Sequence, residues 1–336
     1  MTTKSILAAS LPERWGVLQH LKNDLIYAVV RVAFLCMRLT PFAASRVFAI
    51  LLGNLAALLD ARDRRRAEGQ LARAMPELSA SECRRLARRM FVHLAVSAIE
   101  IIHTERFLDG PHAVTIPATD KEVLEQALAE GRGVVLVTGH IGNWELCGQV
   151  IAKAGFPMTS IAKPTYDPRL TRFIHRLRTA HGHRILWRGD TNVVKEILRT
   201  FKENGILGIL IDQDTRVQGI FVPFFSMPAH TPTAAASFAL RARAPVLLAW
   251  SHRVGNTHQI HFERCPYTLT HDHDADVQVL TAALSLRLET AIRAHPEQWV
   301  WLHERWKKQP TSVDRASVAL NNQEDSASIP QRSPVL

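Results

Sequence analysis

The chain has 336 residues, 47% of them hydrophobic, enough for one large domain or two small ones with a sizeable core. Lys and Arg number 41 against 31 Asp and Glu, so the surface favours polyanionic partners: nucleic acid, anionic lipid or an acidic carrier protein. Cys36, Cys83, Cys147 and Cys265 are scattered and form no C-x-x-C pair, which excludes a disulfide framework and a cysteine-built zinc site and suits a reducing compartment.

Residues 1–24 read as a polar lead-in with some helical character. Residues 25–39 (LIYAVVRVAFLCMRL) are apolar but interrupted by Arg31 and Arg38, and Pro41 ends the run. At about 1.5 Å per residue this run covers roughly 22 Å, short of the roughly 30 Å hydrocarbon core of a bilayer. It reads as a short uncleaved anchor or an interfacial helix, with a helix in the core of a soluble domain as the alternative. No small-residue cleavage site follows, so a cleaved signal peptide is not expected. Residues 42–59 form a second apolar helical pattern. The basic cluster Arg62 to Arg66 after it suits the cytoplasmic face of a membrane, or a solvated helix end. Residues 1–60 are therefore expected to be a membrane-anchoring or interfacial segment. Ser79 and Ser81 are good caps for a helix over 79–105, in which Cys83, Leu86, Met90, Phe91, Leu94, Ala98 and Ile101 recur mostly at three- and four-residue steps.

The pattern changes after residue 112. Asp120 is read as the cap of a helix over 121–130 that Gly131 ends. Residues 134–137 are a continuous apolar run, as expected of a strand buried on both faces. Helices follow at 143–154, 168–180, 191–204, 235–242 and 276–294. Strands are expected at 158–162, 208–211, 246–251 and 258–263. This alternation predicts an α/β domain over 61–310, a mixed β-sheet flanked by helices, behind the N-terminal helical segment. Residues 311–336 lack an apolar period and read as a disordered tail.

The densest chemical signal is Thr138-Gly139-His140-Ile141-Gly142-Asn143-Trp144-Glu145, between a buried strand and a helix. The carboxyl end of a strand is where α/β sheets hold ligands. Glu145, one helical turn in, is placed to accept the imidazole N–H of His140, and a histidine held this way is a competent general base. The helix N-terminus would offer backbone amides to a developing negative charge. Asp212 and Asp214 follow a second buried strand at the same functional edge.

Several segments carry a resemblance to a known family: GHIGNWE at 139–145, IDQD at 211–214, FVPFF at 221–225, Thr-Pro-Thr at 231–233 and HPEQWVWLHERWK at 295–307. With the helical lead-in at 64–91, they resemble the bacterial lipid A late acyltransferases, within the glycerolipid acyltransferase superfamily and its H-x4-D/E motif. The resemblance covers residues 20–308 and implies an acyl-carrier-protein thioester as donor and a sugar-lipid hydroxyl as acceptor. It implies His140 as general base with direct transfer and neither a metal nor any other cofactor. The absence of a G-x-S-x-G agrees with direct transfer. The implied setting is the cytoplasmic face of a bacterial inner membrane. A phosphatidylinositol mannoside, an ornithine lipid or a lysophospholipid is the alternative acceptor, and a non-catalytic membrane-binding protein of the same fold is the rival from another class.

Asp214 is expected to orient His140 with, or instead of, Glu145. The family uses an arginine followed by R-x3-G, here Arg178 and Gly182, which points to Arg178 as a substrate-binding residue. Arg169, Arg172 and Arg176 share a helix face and are expected to meet anionic headgroups or an acidic carrier. Asn143 and Arg169 are added to the substrate-binding set. Phe221, Phe224 and Phe225 read either as an acyl-pocket wall or as core. Ser226 stands where the family pattern has Gly. Cys147 is read as a small buried apolar residue and not a nucleophile. The Asp and His residues at 271–276 read as solvated and not as a metal site. Trp299, Trp301 and Trp306 either anchor at a membrane interface or pack on the core. Nucleic acid is not an expected partner, because no basic–aromatic module accompanies the positive charge.

Overall fold

A computed structural model describes residues 16–310. The disordered tail read at 311–336 and the first part of the polar lead-in lie outside the described residues. Helix α1 (Val17–Leu39) is continuous and longer than the 25–39 run, because residues 17–24 extend it, and Pro41 separates it from α2 (Phe42–Leu59). On α2 the small residues Ser45, Ala49, Gly53 and Ala57 repeat every four positions and face α4 (Ala80–Ile102). A Cβ on Gly53 would lie 2.6 Å from the Val92 Cα, so glycine sets how closely the two helices approach. The opposite faces are apolar and exposed: Leu21, Leu25 and Val32 on α1, and Val47, Phe48, Leu51, Leu55 and Leu58 on α2. Among the described residues α2 alone is long and apolar enough to cross a membrane by length and composition.

The basic cluster at 62–66 opens a helix that the sequence pattern did not separate, α3 (Ala61–Ala74), capped by the Asp60 side chain accepting from the Asp63 amide at 3.0 Å. Arg64 donates to the last carbonyls of α2, at 2.8 Å to Ala57, and thereby complements the negative end of that helix. Ser79 and Glu82 form a reciprocal capping box on α4. A short helix α5 (Glu105–Leu108) then leads to α6 (Ala118–Ala129). Asp120 does not cap α6. It lies in the first turn and accepts the Phe262 amide at 2.7 Å, tying α6 to the sheet edge.

The main sheet has six strands in the order β3-β2-β4-β1-β7-β8. They are β1 (Val134–Thr138), β2 (Met158–Ala162), β3 (Arg184–Trp187), β4 (Ile206–Leu210), β7 (Val246–Val254) and β8 (Thr257–Arg264). The first five strands in the order run parallel, and β8 pairs antiparallel with β7 at the edge. The crossover helices are α7 (Trp144–Lys153), α8 (Pro168–Thr179), α9 (Val193–Lys202) and α10 (Ala234–Ala242). Such a sheet is covered on both faces, hence the unbroken apolar runs of β1 and β4. The fold is α/β, a mixed sheet flanked by helices, as its alternating pattern implies.

Strand β3 was not expected, because RILW is too short to show a period. The hairpin of β5 (Gly219–Phe224) and β6 (Met227–Pro232) was also unforeseen. Its two turn residues, Phe225 and Ser226, have φ of 52° and 57°, the left-handed pair of a two-residue hairpin turn, without the usual glycine to announce it. Helix α11 (His273–Ala294), capped by Asp272, covers the sheet, and the chain after Pro296 returns across the carboxyl ends of the strands.

Candidate active site

Parallel pairing in register sets the site. Thr138 of β1 lies opposite Leu210 of β4, and each strand ends there. His140 and Asp212 are each two residues further on and emerge side by side. The His140 Nδ1 lies 2.8 Å from Asp212 Oδ1, and its backbone amide donates to Oδ2 at 2.6 Å. Trp299 Nε1 also donates to Oδ2, at 2.8 Å. Asp212 is fully buried. Burial alone would raise its pKa, but the charge of His140 and the hydrogen bonds from His140 and Trp299 hold it well below the ordinary carboxylate value. An ionised carboxylate only accepts, so the proton sits on Nδ1 and Nε2 is left as the basic nitrogen. The Gln213 amide nitrogen lies 3.0 Å from that Nε2 and 2.6 Å from His303 Nε2.

The loop is locked from behind. The Gly142 amide donates to Gln298 O at 3.0 Å, and Val300 N donates to His140 O at 3.2 Å. Gly142 has φ +61°, and a Cβ there would sit 1.9 Å from the Ser251 carbonyl oxygen, so only glycine fits. The Asn143 amide donates to Ser251 Oγ at 3.1 Å, and the Leu146 amide to the Asn143 side chain. The amides of Asn143 and Leu146, at the cap and in the first turn of α7, are thus used within the protein.

Glu145 does not reach His140. Its carboxylate takes a two-pronged ion pair from Arg178 of α8, with Arg178 Nε 2.7 Å from Oε2 and Nη2 on Oε1. The reason is direction: α7 carries Glu145 towards α8, while the strand register brings Asp212 to the ring. Both members of the pair line a cavity of 1110 Å³ that His140 and Trp144 also line. The cavity wall combines apolar side chains (Ile161, Ile185, Ile197, Ile209, Val217 and Phe238) with the cations Lys163, Arg178, Arg188 and Arg241. The volume of the cavity and the chemistry of its wall suit an apolar chain with a charged end. His183, also on the wall, is kept neutral by burial, its pKa lowered to about 4.

The other expected residues lie elsewhere. Asp214 does not orient His140. It faces His230 at 3.3 Å and Lys308 at 3.1 Å, because the chain leaves the regular strand at Leu210 and the i, i+2 alternation that would put Asp214 on the same side as Asp212 is lost. Asn143 is buried behind the loop, donating to Glu100 Oε2 at 3.0 Å and Ser97 O at 3.2 Å. Arg169 binds Asp167 at 2.8 Å and Asp24 of α1 at 2.5 Å, away from the cavity. Phe224 is buried against Phe225, Trp299 and Trp306 and does not line the cavity. Trp299, Trp301 and Trp306 are buried too, so they pack on the core and do not anchor at an interface. Burial pushes the Cys147 thiol up to about 12, which removes it as a nucleophile. Asp272 caps α11 and Asp276 accepts from Thr270 at 2.7 Å, so this acidic segment serves the helix start, although Asp272, His273 and Asp274 also border the cavity. Sequence reasoning missed Gln213, His303 and Trp299 as neighbours of His140. The pairing of β1 with β4 brings Gln213 there, and the Ile141↔Trp299 bridge brings the C-terminal segment with Trp299 and His303.

The fold and site define an α/β protein with a histidine–aspartate pair at the strand ends, opening on a deep, partly cationic cavity. Residues 12–308 match the bacterial lipid A biosynthesis acyltransferase family, and the chain belongs to it. It is 26% identical over 199 residues to a phosphatidylinositol mannoside acyltransferase of Mycobacterium tuberculosis, a match covering 58% of this chain and 61% of the relative. It is 23% identical to a lipid A biosynthesis acyltransferase of Haemophilus influenzae, covering 87% of each. It is also 23% identical to a lipid A biosynthesis lauroyltransferase of Escherichia coli, covering 90% of this chain and 98% of the relative. The match to the mycobacterial relative thus spans about three fifths of that protein's length.

Proposed function

We propose that the protein is an acyltransferase that moves a fatty acyl chain from an acyl-carrier-protein thioester to a hydroxyl of a lipid A precursor or a related glycolipid. The observation that carries this is the His140 ring, fixed on buried Asp212 at 2.8 Å and lining the 1110 Å³ cavity. In this reading His140 Nε2 removes the proton from the acceptor hydroxyl as its oxygen attacks the thioester carbonyl, and the carrier's thiolate leaves. Asp212 stabilises the imidazolium that forms. The Glu145–Arg178 pair sets the charge beside the reacting groups, and Arg178 meets the anionic parts of the substrate. The apolar wall takes the acyl chain.

The named activities of the Haemophilus and Escherichia relatives support a lipid A precursor as acceptor. The higher identity of the mycobacterial match supports a phosphatidylinositol mannoside as the second reading. The exposed apolar faces of α1 and α2 support residence at a membrane, and the basic balance of the chain supports its cytoplasmic face, where anionic headgroups are met.

The test is transfer from labelled acyl-carrier protein to a panel of lipid acceptors, comparing wild type with His140→Ala. Transfer that His140→Ala abolishes in a folded variant supports the reaction and its base, and the acceptor used decides between the two readings. Transfer indifferent to His140 would refute this mechanism, and absence of transfer from any donor would favour a non-catalytic membrane-binding protein.

A further inference from the structure

A second cavity of 430 Å³ lies behind the loop that carries His140 and shares no lining residue with the first. Its floor includes His93, whose Nε2 sits 3.0 Å from the Gly142 carbonyl. Its wall carries Arg46, Arg85, Arg88, Arg89 and Arg253 against a single acid, Glu297. Three of the five are paired: Arg253 to buried Glu100, Arg89 to Glu297 at 3.4 Å, and Arg85, on the exposed side, to Glu82 at 3.8 Å. Arg88 uses only its Nε, on the Asn54 amide oxygen at 2.6 Å. The Arg46 Nε is buried with no hydrogen-bond partner. A recess with this excess of guanidinium donors calls for an anion, and the forked geometry of arginine suits phosphate oxygens.

Its place on α2 says which phosphate. Arg46, Ile50 and Asn54 form a stripe at four-residue steps that borders the cavity. Val47, Leu51 and Leu55, each one residue further on, form the neighbouring stripe about 100° round the helix, and all three are exposed. The cationic recess therefore runs directly into an unpartnered apolar face. An amphiphile matches that pair of surfaces, whereas a carrier protein would need an open basic face without the apolar flank.

We propose that this cavity holds the phosphate of an anionic glycerophospholipid whose acyl chains lie along the exposed face of α2. The site is separate from the acceptor cavity. It rests on the reading that α2 meets a membrane, and it makes binding depend on the charge of that membrane at one defined place.

The experiment is vesicle co-sedimentation of the full chain, using phosphatidylcholine alone and phosphatidylcholine mixed with phosphatidylglycerol. Wild type is compared with the double variant Arg46→Ala/Arg88→Ala, and with a control, Arg65→Ala/Arg84→Ala, that removes two exposed arginines outside the cavity. Wild type is expected to prefer the anionic vesicles, and Arg46→Ala/Arg88→Ala to lose about fivefold of that preference per arginine. The control is expected to keep most of it. Binding to neutral vesicles is expected to be the same in all three, and equal melting temperatures would show that the variants are folded. Equal losses in both variants would overturn the site in favour of diffuse surface charge. Two further outcomes also overturn it. One is an unchanged vesicle preference with a raised KM for acyl-carrier protein. The other is an unchanged preference with Arg46-dependent thermal stabilisation by inorganic phosphate in detergent. Failure of wild type to bind any vesicle would instead remove the membrane reading on which the site rests.

Discussion

Asp212 meets His140 twice, through the ring Nδ1 at 2.8 Å and through the backbone amide at 2.6 Å, so a single buried carboxylate fixes both the loop and the tautomer of its histidine. Asp212→Asn keeps the shape but removes the charge that favours an imidazolium, and its amide can donate to Nδ1 and put the proton on Nε2. We expect kcat to fall by roughly 10²- to 10⁴-fold with KM little changed, the size of effect seen when a base loses its orienting carboxylate. A fall confined to KM, or none, in steady-state transfer assays would show that Asp212 is structural only.

Glu145 and Arg178 form one unit on the cavity wall, so their substitutions should not add. Glu145→Gln frees the Arg178 fork, and Arg178→Ala leaves the carboxylate uncompensated beside the reacting groups. The double variant Glu145→Gln/Arg178→Ala is expected to be less impaired than the sum of the two single changes, with a coupling of about 1–3 kcal/mol in kcat/KM. Arg178→Lys should restore little, because a lysine cannot reproduce the two-pronged contact. Strict additivity in the cycle would mean that the pair seen at rest plays no part in turnover.

These two relationships mark what the sequence could and could not disclose. The buried strands β1 and β4 were legible from their apolar runs, and His140 from its place between a strand and a helix. The partner of His140 was not, because Asp212, Asp214 and Glu145 all lie close in sequence terms to a strand end. The Thr138↔Leu210 register puts Asp212 on the ring, and the irregular backbone that follows β4 turns Asp214 towards Lys308. Asn143 and Phe224 were misplaced for a similar reason. A motif shows which residues travel together, but it does not show which face of the loop each one takes. The β5–β6 hairpin escaped because Phe225 and Ser226 hold left-handed backbone without a glycine.

That turn yields a stability prediction. Ser226 at φ 57° carries a side chain where L-residues are penalised by about 1–2 kcal/mol, and glycine is not. Part of the gain from Ser226→Gly is offset by the greater freedom of glycine in the unfolded chain. A net stabilisation of about 0.5–1 kcal/mol is expected, or roughly 2 °C in Tm by calorimetry. The Phe225 amide, on the same turn, donates to Glu289 Oε2 at 2.5 Å, and neither turn residue lines the cavity, so transfer activity should be unaffected. Destabilisation would mean that the turn is held in place by the serine side chain.

Acid should loosen the protein from behind its active site. Burial, reinforced by the charge of Arg253, lowers the pKa of His93 from 6.5 to about 3, so the ring is neutral when it meets the Gly142 carbonyl. The unfolded chain binds the proton first. Stability from this group is therefore complete above pH 6.5 and is lost as pH falls from 6.5 towards 3, at about 1.4 kcal/mol per pH unit. His93→Gln keeps a donor near the Nε2 position without a titrating group. In urea unfolding, wild type is expected to lose about 2 kcal/mol more than His93→Gln between pH 6.5 and 5, although the variant starts less stable at neutral pH. His183 titrates in the same direction in both proteins, so only the difference between them reports His93. Parallel pH curves would show that His93 is protonated in the fold and that its contact with Gly142 is a charged one.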